Sequence, residues 1–120
     1  MKEKFERVIA VESGTSAIRD LEVNVPGVTA EHARVEDYLA KLDKNPDFVL
    51  ADPPRSGLGK IVVASLARLA PPRITIVSCD PATLARDIAA LGKYKIDRLT
   101  LVDLFPQTYH LETIAHLSIC

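Results

Sequence analysis

The sequence predicts an α/β layer fold with a mostly parallel sheet and an antiparallel pair of strands at the C-terminal end. Two observations lead there. Short, largely β-branched runs alternate with segments whose apolar residues recur at helical spacing, the order that builds parallel strands joined by crossover helices. The last two apolar runs then follow one another with no helical segment between them, which favours antiparallel pairing. A chain of 120 residues has the size of one domain, here residues 1–120.

The elements follow in order. Val8-Ile9-Ala10-Val11 is a continuous apolar run and reads as a buried strand. Ser13-Gly14-Thr15-Ser16 supplies a loop with capping residues. Ala17, Ile18, Leu21 and Val25 then recur at helical spacing until Pro26-Gly27 stops the helix. Residues 28–33 form a short strand, and residues 35–42 a short helix with Leu39 and Leu42 on one side. Phe48-Val49-Leu50-Ala51 is the second strong strand. It runs into Asp52-Pro53-Pro54-Arg55-Ser56-Gly57, which continues neither strand nor helix. Ile61, Val62, Ser65, Leu66 and Leu69 trace a helical face closed by Pro71-Pro72. Ile74-Thr75-Ile76-Val77 is the third strand and ends at Ser78-Cys79-Asp80-Pro81. Asp80 suits an N-cap and Pro81 the first helical position. Leu84, Ile88 and Leu91 carry that helix to Gly92, a C-terminal stop. Residues 96–104 and 114–119 are the final strands, connected by residues 105–110.

Composition narrows the partners. Fifteen basic against 16 acidic side chains leave a net charge of −1, so charge alone gives this segment no tight hold on nucleic acid. Two cysteines, Cys79 and Cys120, make neither a dense disulfide framework nor a four-thiolate zinc site. With three histidines and no paired cysteine, no metal is expected. No apolar run approaches the ~20 residues of a membrane helix, and Met1-Lys2-Glu3-Lys4 has no signal-peptide core. The expected location is the cytoplasm.

In open α/β sheets, ligands bind beyond the carboxyl ends of the strands. Glu12, Asp52, Cys79 and Asp103 each sit at or just after such an end. An acid at the place of Glu12 accepts hydrogen bonds from ribose hydroxyls in nucleotide-binding folds, or is a solvated loop acid. Two prolines hold Asp52 rigidly, which suits recognition of a polar planar group or a cationic cofactor, or simply a self-capped turn. Cys79 precedes a helix N-terminus, whose partial positive charge favours a thiolate. Asp80 opposes it, since an adjacent anion disfavours a second negative charge. The plainer role for a lone cysteine is a buried apolar one. His110 and Glu112, two apart on an extended segment, point the same way and suit a general base or, as the weaker option, two metal ligands. His32 and His116 read as surface or satisfied histidines. Phe105 follows Asp103 at the same sheet edge and is a candidate contact or a core anchor.

Three motifs in this order resemble the RNA (uracil-5-)-methyltransferase family. They are Asp52-Pro53-Pro54-Arg55-Ser56-Gly57-Leu58, Val77-Ser78-Cys79-Asp80-Pro81-Ala82-Thr83-Leu84-Ala85-Arg86-Asp87 and Val102-Asp103-Leu104-Phe105-Pro106-Gln107-Thr108-Tyr109-His110-Leu111-Glu112. Residues 8–24 also resemble the family's segment after its glycine-rich cofactor loop. The resemblance covers nearly the whole chain and looks like the C-terminal part of a catalytic domain with a Rossmann-like methyltransferase fold. It implies S-adenosylmethionine as cofactor and uridine in ribosomal or transfer RNA as substrate, methylated at C5. Cys79 matches the nucleophile that adds to C6 of the uracil, and Glu112 the base that takes the C5 proton. Glu12 matches the acid holding the cofactor ribose. Asp52 matches a residue of the cofactor and substrate cleft, beside which Arg55 and Phe105 are candidate substrate contacts.

The chain departs from the family in two places. Asn often follows the nucleophile in the family, and Asp80 stands there in this chain, which is expected to slow attack by Cys79. The family's first strand and glycine-rich loop have no counterpart in residues 1–6, and Gly14 is in a different place. The chain is therefore expected to be a fragment. Its strands at Val8 and Phe48 are expected to pair directly or to be completed by self-association. One alternative reading is a non-catalytic remnant that keeps the fold without cofactor affinity. Another is a methyltransferase acting on an exocyclic amine, disfavoured because that chemistry needs no cysteine.

Overall fold

The computed structural model of the chain describes residues 4–104, 107 and 111–120. Its elements alternate as the apolar pattern predicts: β1 (Ile9–Glu12), α1 (Thr15–Asn24), β2 (Thr29–His32), α2 (Val35–Lys41), β3 (Phe48–Ala51), α3 (Lys60–Leu69), β4 (Arg73–Ser78), α4 (Pro81–Leu91), β5 (Tyr94–Val102) and β6 (Glu112–Ile119). Two boundaries matter for the site. Glu12 ends β1, as the sequence suggests, and β6 begins at Glu112 instead of residue 114.

Contacts divide the chain into two compact units, Met1–Leu42 and Asp43–Cys120. In the first, β1 and β2 pair in parallel, with Glu12 opposite His32 at the carboxyl end. Ile18 of α1 and Leu39 of α2 are its buried apolar side chains. The second unit holds a four-stranded sheet in the order β3-β4-β6-β5. β3 is parallel to β4, and β6 is antiparallel to both β4 and β5. Three strands thus run one way, and the reversed β6 is slotted between two of them. The expected direct pairing of the Val8 and Phe48 strands is not what forms. Among the described residues β1 and β3 belong to separate sheets, each with one ladder partner in its own unit.

The core of the second unit lies under α3 and α4. Leu66 and Leu69 of α3, Ile74 and Ile76 of β4, Leu91 of α4 and Leu117 of β6 are almost fully buried. Their helical and alternate-residue spacings put one face of each element inward. The helix ends have local causes. The Asp80 carboxylate accepts from Ala82 N and Thr83 N, with Pro81 at the first helical position. Gly92, at φ 66°, ends α4. Ala70, left-handed at φ 47°, ends α3 and donates to Leu66 O, and the prolines after it forbid further helix.

Tyr94 ties this end of the sheet down. Its ring is buried, and its hydroxyl donates to Pro71 O at 2.7 Å. Burial raises its pKa above the ordinary 10.0. The folded state therefore holds the phenol proton more tightly than the unfolded chain does. The stabilisation is complete below pH ~10 and is lost as pH rises through the raised pKa. Tyr94→Phe is expected to lower stability at pH 7 by about 1–2 kcal/mol, through the orphaned carbonyl. It should also flatten the loss of stability above pH 10, read as urea midpoints across pH 8–11.

Candidate active site

The candidate residues of the second unit gather at one end of its sheet. Ala51 of β3 pairs with Ile76 of β4, so Asp52 leaves the sheet level with Val77. Ser78, the last residue of β4, pairs with Thr113 of β6. The next residue on each side is Cys79 and Glu112. Cys79 lies in the bend just beyond β4, so the ladder stops one step short of it and leaves the two residues at the same end of neighbouring strands. Glu112 also faces Val102 across β5, so Asp103 leaves the sheet at the same end. Cys79 and Glu112 are half-buried, whereas Asp52, Arg55 and Asp103 are exposed.

The turn at Cys79 is held from both sides. The buried Ser78 hydroxyl donates to Asp80 O at 2.9 Å and accepts from Asp80 N at 3.1 Å, closing a ring around the Cys79 backbone. Asp80 Oδ1 accepts from Ala82 N at 2.9 Å and Thr83 N at 3.1 Å. The first N–H groups of α4 are thus occupied by the Asp80 carboxylate. The charge next to Cys79 has a structural use as the helix cap. Asn keeps the cap without the charge. Asp80→Asn is expected to leave stability nearly unchanged and to speed Cys79 alkylation by iodoacetamide at pH 7. The gain is about threefold, the Coulomb value for unit charges ~6 Å apart in water. Equal rates in the two proteins would show that the helix end already neutralises the carboxylate.

Asp52 sits on a loop with its own scaffold. Gly57 N donates to Pro54 O at 2.9 Å, closing a tight turn with Gly57 at φ +86°. The loop then docks on α4. Leu58 N donates to Asp87 Oδ2 at 2.7 Å, Arg86 donates to Ser56 O at 2.8 Å, and the Thr83 hydroxyl lies 3.1 Å from Arg55 O. None of Ser78, Thr83, Arg86 and Asp87 stands out as functional by composition. The one sequence signal is Asp87 itself. It shares the buried stripe of α4 with Leu84 and Leu91, where the helical period calls for an apolar residue.

In the first unit, Glu12 Oε1 accepts from Gly14 N at 2.8 Å, tightening the loop after β1. His32, its partner in the ladder, donates from Nε2 to Ser13 O at 2.9 Å, and His116 hydrogen-bonds Thr75 through Nδ1 at 2.9 Å. Both histidines are satisfied, as expected of them. Phe105 and His110 lie outside the described residues.

Residues 28–119 match the sequence pattern of the tRNA (uracil-5-)-methyltransferases. The chain belongs to the tRNA (uracil-5-)-methyltransferase family. An uncharacterized RNA methyltransferase of Prochlorococcus marinus is 41% identical over 93% of this chain and 29% of its own length. The crystal structure of Pyrococcus abyssi tRNA (uracil-54, C5)-methyltransferase in complex with S-adenosyl-L-homocysteine superposes with a TM-score of 0.82. It is 37% identical, over 97% of this chain and 29% of that one. The N-methyltransferase NodS of Bradyrhizobium japonicum superposes at 0.76 with 10% identity, over 95% of this chain and 67% of that one. That likeness concerns the fold alone, which is the Rossmann-like methyltransferase fold. The chain thus spans less than a third of the length of the RNA-methyltransferase relatives it matches. Within this family the chain carries the loop–β4–α4 unit and the β6 start, the segments that hold Asp52, Cys79 and Glu112.

Proposed function

We propose that this chain is the C-terminal part of the catalytic domain of an S-adenosylmethionine-dependent methyltransferase. Its substrate is C5 of a uridine in transfer or ribosomal RNA, and both compact units belong to that one domain. The observation that carries the reading is the β4–β6 register, whose last pair, Ser78 and Thr113, leaves Cys79 and Glu112 at the one sheet end where Asp52 emerges. The uracil ring is a flat electrophile. A thiolate must approach C6 from one face while a base waits near C5, and two opposed strand ends offer that arrangement. Cys79 Sγ adds to C6, and the electron pair passes to C5, which takes the methyl group. Glu112 then removes the C5 proton, the C5–C6 double bond re-forms, and the thiolate leaves. The base reaches these groups only when out of its stack.

The cofactor supplies an electrophilic sulfonium methyl. Each unit taken by itself offers one acid that fits a part of such a group. One oxygen of Glu12 is taken by Gly14 N, and the other remains for a ribose hydroxyl. Asp52, exposed and rigidly held, suits the cationic or polar face of cofactor and substrate. Arg55 suits an RNA phosphate.

RNA carrying 5-fluorouridine tests the reading. Fluorine at C5 cannot leave as a proton, so the enzyme remains bound after methylation. With S-adenosylmethionine present, a denaturation-resistant adduct is expected, and Cys79→Ala should abolish it. An adduct that survives Cys79→Ala would overturn the assignment. Calorimetry addresses the other reading, a piece that keeps the fold without the cofactor site. It is favoured by the small share of its relatives that the chain spans. Absence of binding at millimolar S-adenosylmethionine would support it.

A further inference from the structure

The α4 stripe presents an anomaly. Leu84 and Leu91 are buried, and between them at helical spacing stands Asp87, only 3% exposed. Aspartate is almost never buried this far unless partnered, and an apolar side chain there would pack without a desolvation cost. Residues that break the local pattern in this way concentrate where geometry has to be held.

The partners of Asp87 show what is held. Oδ2 accepts from Leu58 N at 2.7 Å, and Oδ1 accepts from Arg86 Nε at 3.2 Å and Nη2 at 2.9 Å. The same Arg86 group donates to Ser56 O at 2.8 Å. One turn earlier, the Thr83 hydroxyl lies 3.1 Å from Arg55 O and 3.2 Å from Asp80 O. Three residues of the loop after β3, Arg55, Ser56 and Leu58, are therefore gripped by α4, the helix whose cap brackets Cys79. The approach is so close that a Cβ on Gly57 would meet Asp87 Oδ2 at 2.5 Å. Loop and helix are joined at the level of backbone groups, which leaves the exposed side chains of Asp52 and Arg55 out of the clamp.

We propose that Asp87 is a positioning residue: its buried carboxylate, steadied by Arg86, locks the loop 52–58 to α4 and so sets where Asp52 and Arg55 stand relative to Cys79. The chemical consequence rests on the function proposed above. A hydrogen bond from a backbone N–H to a buried carboxylate is short and directional, and displacements of ~1 Å at a reacting centre cost about 100-fold in rate.

The test compares wild type, Asp87→Asn and Asp87→Ala in three measurements. Hydrogen exchange at Leu58 N–H should speed up at least tenfold in Asp87→Ala and stay within threefold of wild type in Asp87→Asn, whose amide oxygen still accepts. Amides of β4 and β6 should be unchanged. The maximal rate of adduct formation with 5-fluorouridine RNA should fall tenfold or more in Asp87→Ala, at similar half-saturating RNA, and be restored in Asp87→Asn. Alkylation of Cys79 by iodoacetamide should stay within twofold in all three. Wild-type exchange at Leu58 in Asp87→Ala overturns the anchoring. A parallel loss of β4 protection reduces Asp87 to a fold residue and also overturns it, as does an adduct rate indifferent to the loosened loop. If wild type itself forms no adduct, the function reading fails, and the exchange measurement alone decides the anchoring.

Discussion

On the function proposed above, Glu112→Gln is expected to stop the reaction after carbon–carbon bond formation. Glu112 is the first residue of β6 and pairs with Val102 of β5, and the next residue, Thr113, pairs with Ser78 at the end of β4. Glutamine has nearly the same shape, so the ladder is kept, but its amide does not take a proton at neutral pH. Cys79 can still add to C6 and C5 can still take the methyl group. What fails is removal of the C5 proton, and with it expulsion of the thiolate. Turnover should fall by about 10²–10⁴-fold, the usual contribution of a general base. An adduct with ordinary uridine RNA, transient in wild type, should become isolable. Mass spectrometry of the denatured complex would show protein plus RNA plus one methyl group. Release of methylated RNA at the wild-type rate would remove Glu112 from the base role.

Gly57→Ala is expected to give the largest loss of stability for the smallest change in the chain. Gly57 stands at φ +86°, where an L-residue costs about 1–2 kcal/mol. Its added methyl would lie 2.5 Å from Asp87 Oδ2 and 2.6 Å from Arg86 Nη2. Neither atom can yield without giving up the backbone it holds, so a crowding term of about 1–3 kcal/mol adds to the first. Gly59 is the control. It has φ +83° and nothing within 4 Å of a built Cβ, so Gly59→Ala meets only the conformational term, about 1–3 kcal/mol. Urea midpoints should fall in both variants. Leu58 N–H exchange should rise in Gly57→Ala alone. Equal exchange in the two variants would mean that the close approach to Asp87 relaxes without disturbing the clamp.

Much of this was visible in the residue order. The apolar periods of 2 and 3.6, the proline pairs and the glycine stops locate all ten elements to within a few residues. Asp80 as N-cap and Gly92 as C-cap follow from side-chain chemistry acting over three or four residues. The three motifs carry the family, with Asp52, Cys79 and Glu112 each in its motif. These features are local, so a linear reading captures them.

What the sequence left open is pairing. Residues 96–104 and 114–119 read as two adjacent strands, yet β6 also inserts between β5 and β4 and pairs with both. That insertion makes Ser78 and Thr113, the neighbours of Cys79 and Glu112, the last pair of the β4–β6 ladder. A strand's ladder partner is set by competition among all strands for buried backbone hydrogen bonds and matched faces, which no single run encodes. Asp87 teaches the same lesson. Its helix period places it inward, but whether an inward acid is a fault or a clamp depends on what lies opposite. The sequence by itself determined the elements, their ends and the chemistry available. The tertiary structure decided which groups meet, because hydrogen-bond partners and burial are properties of neighbours distant along the chain.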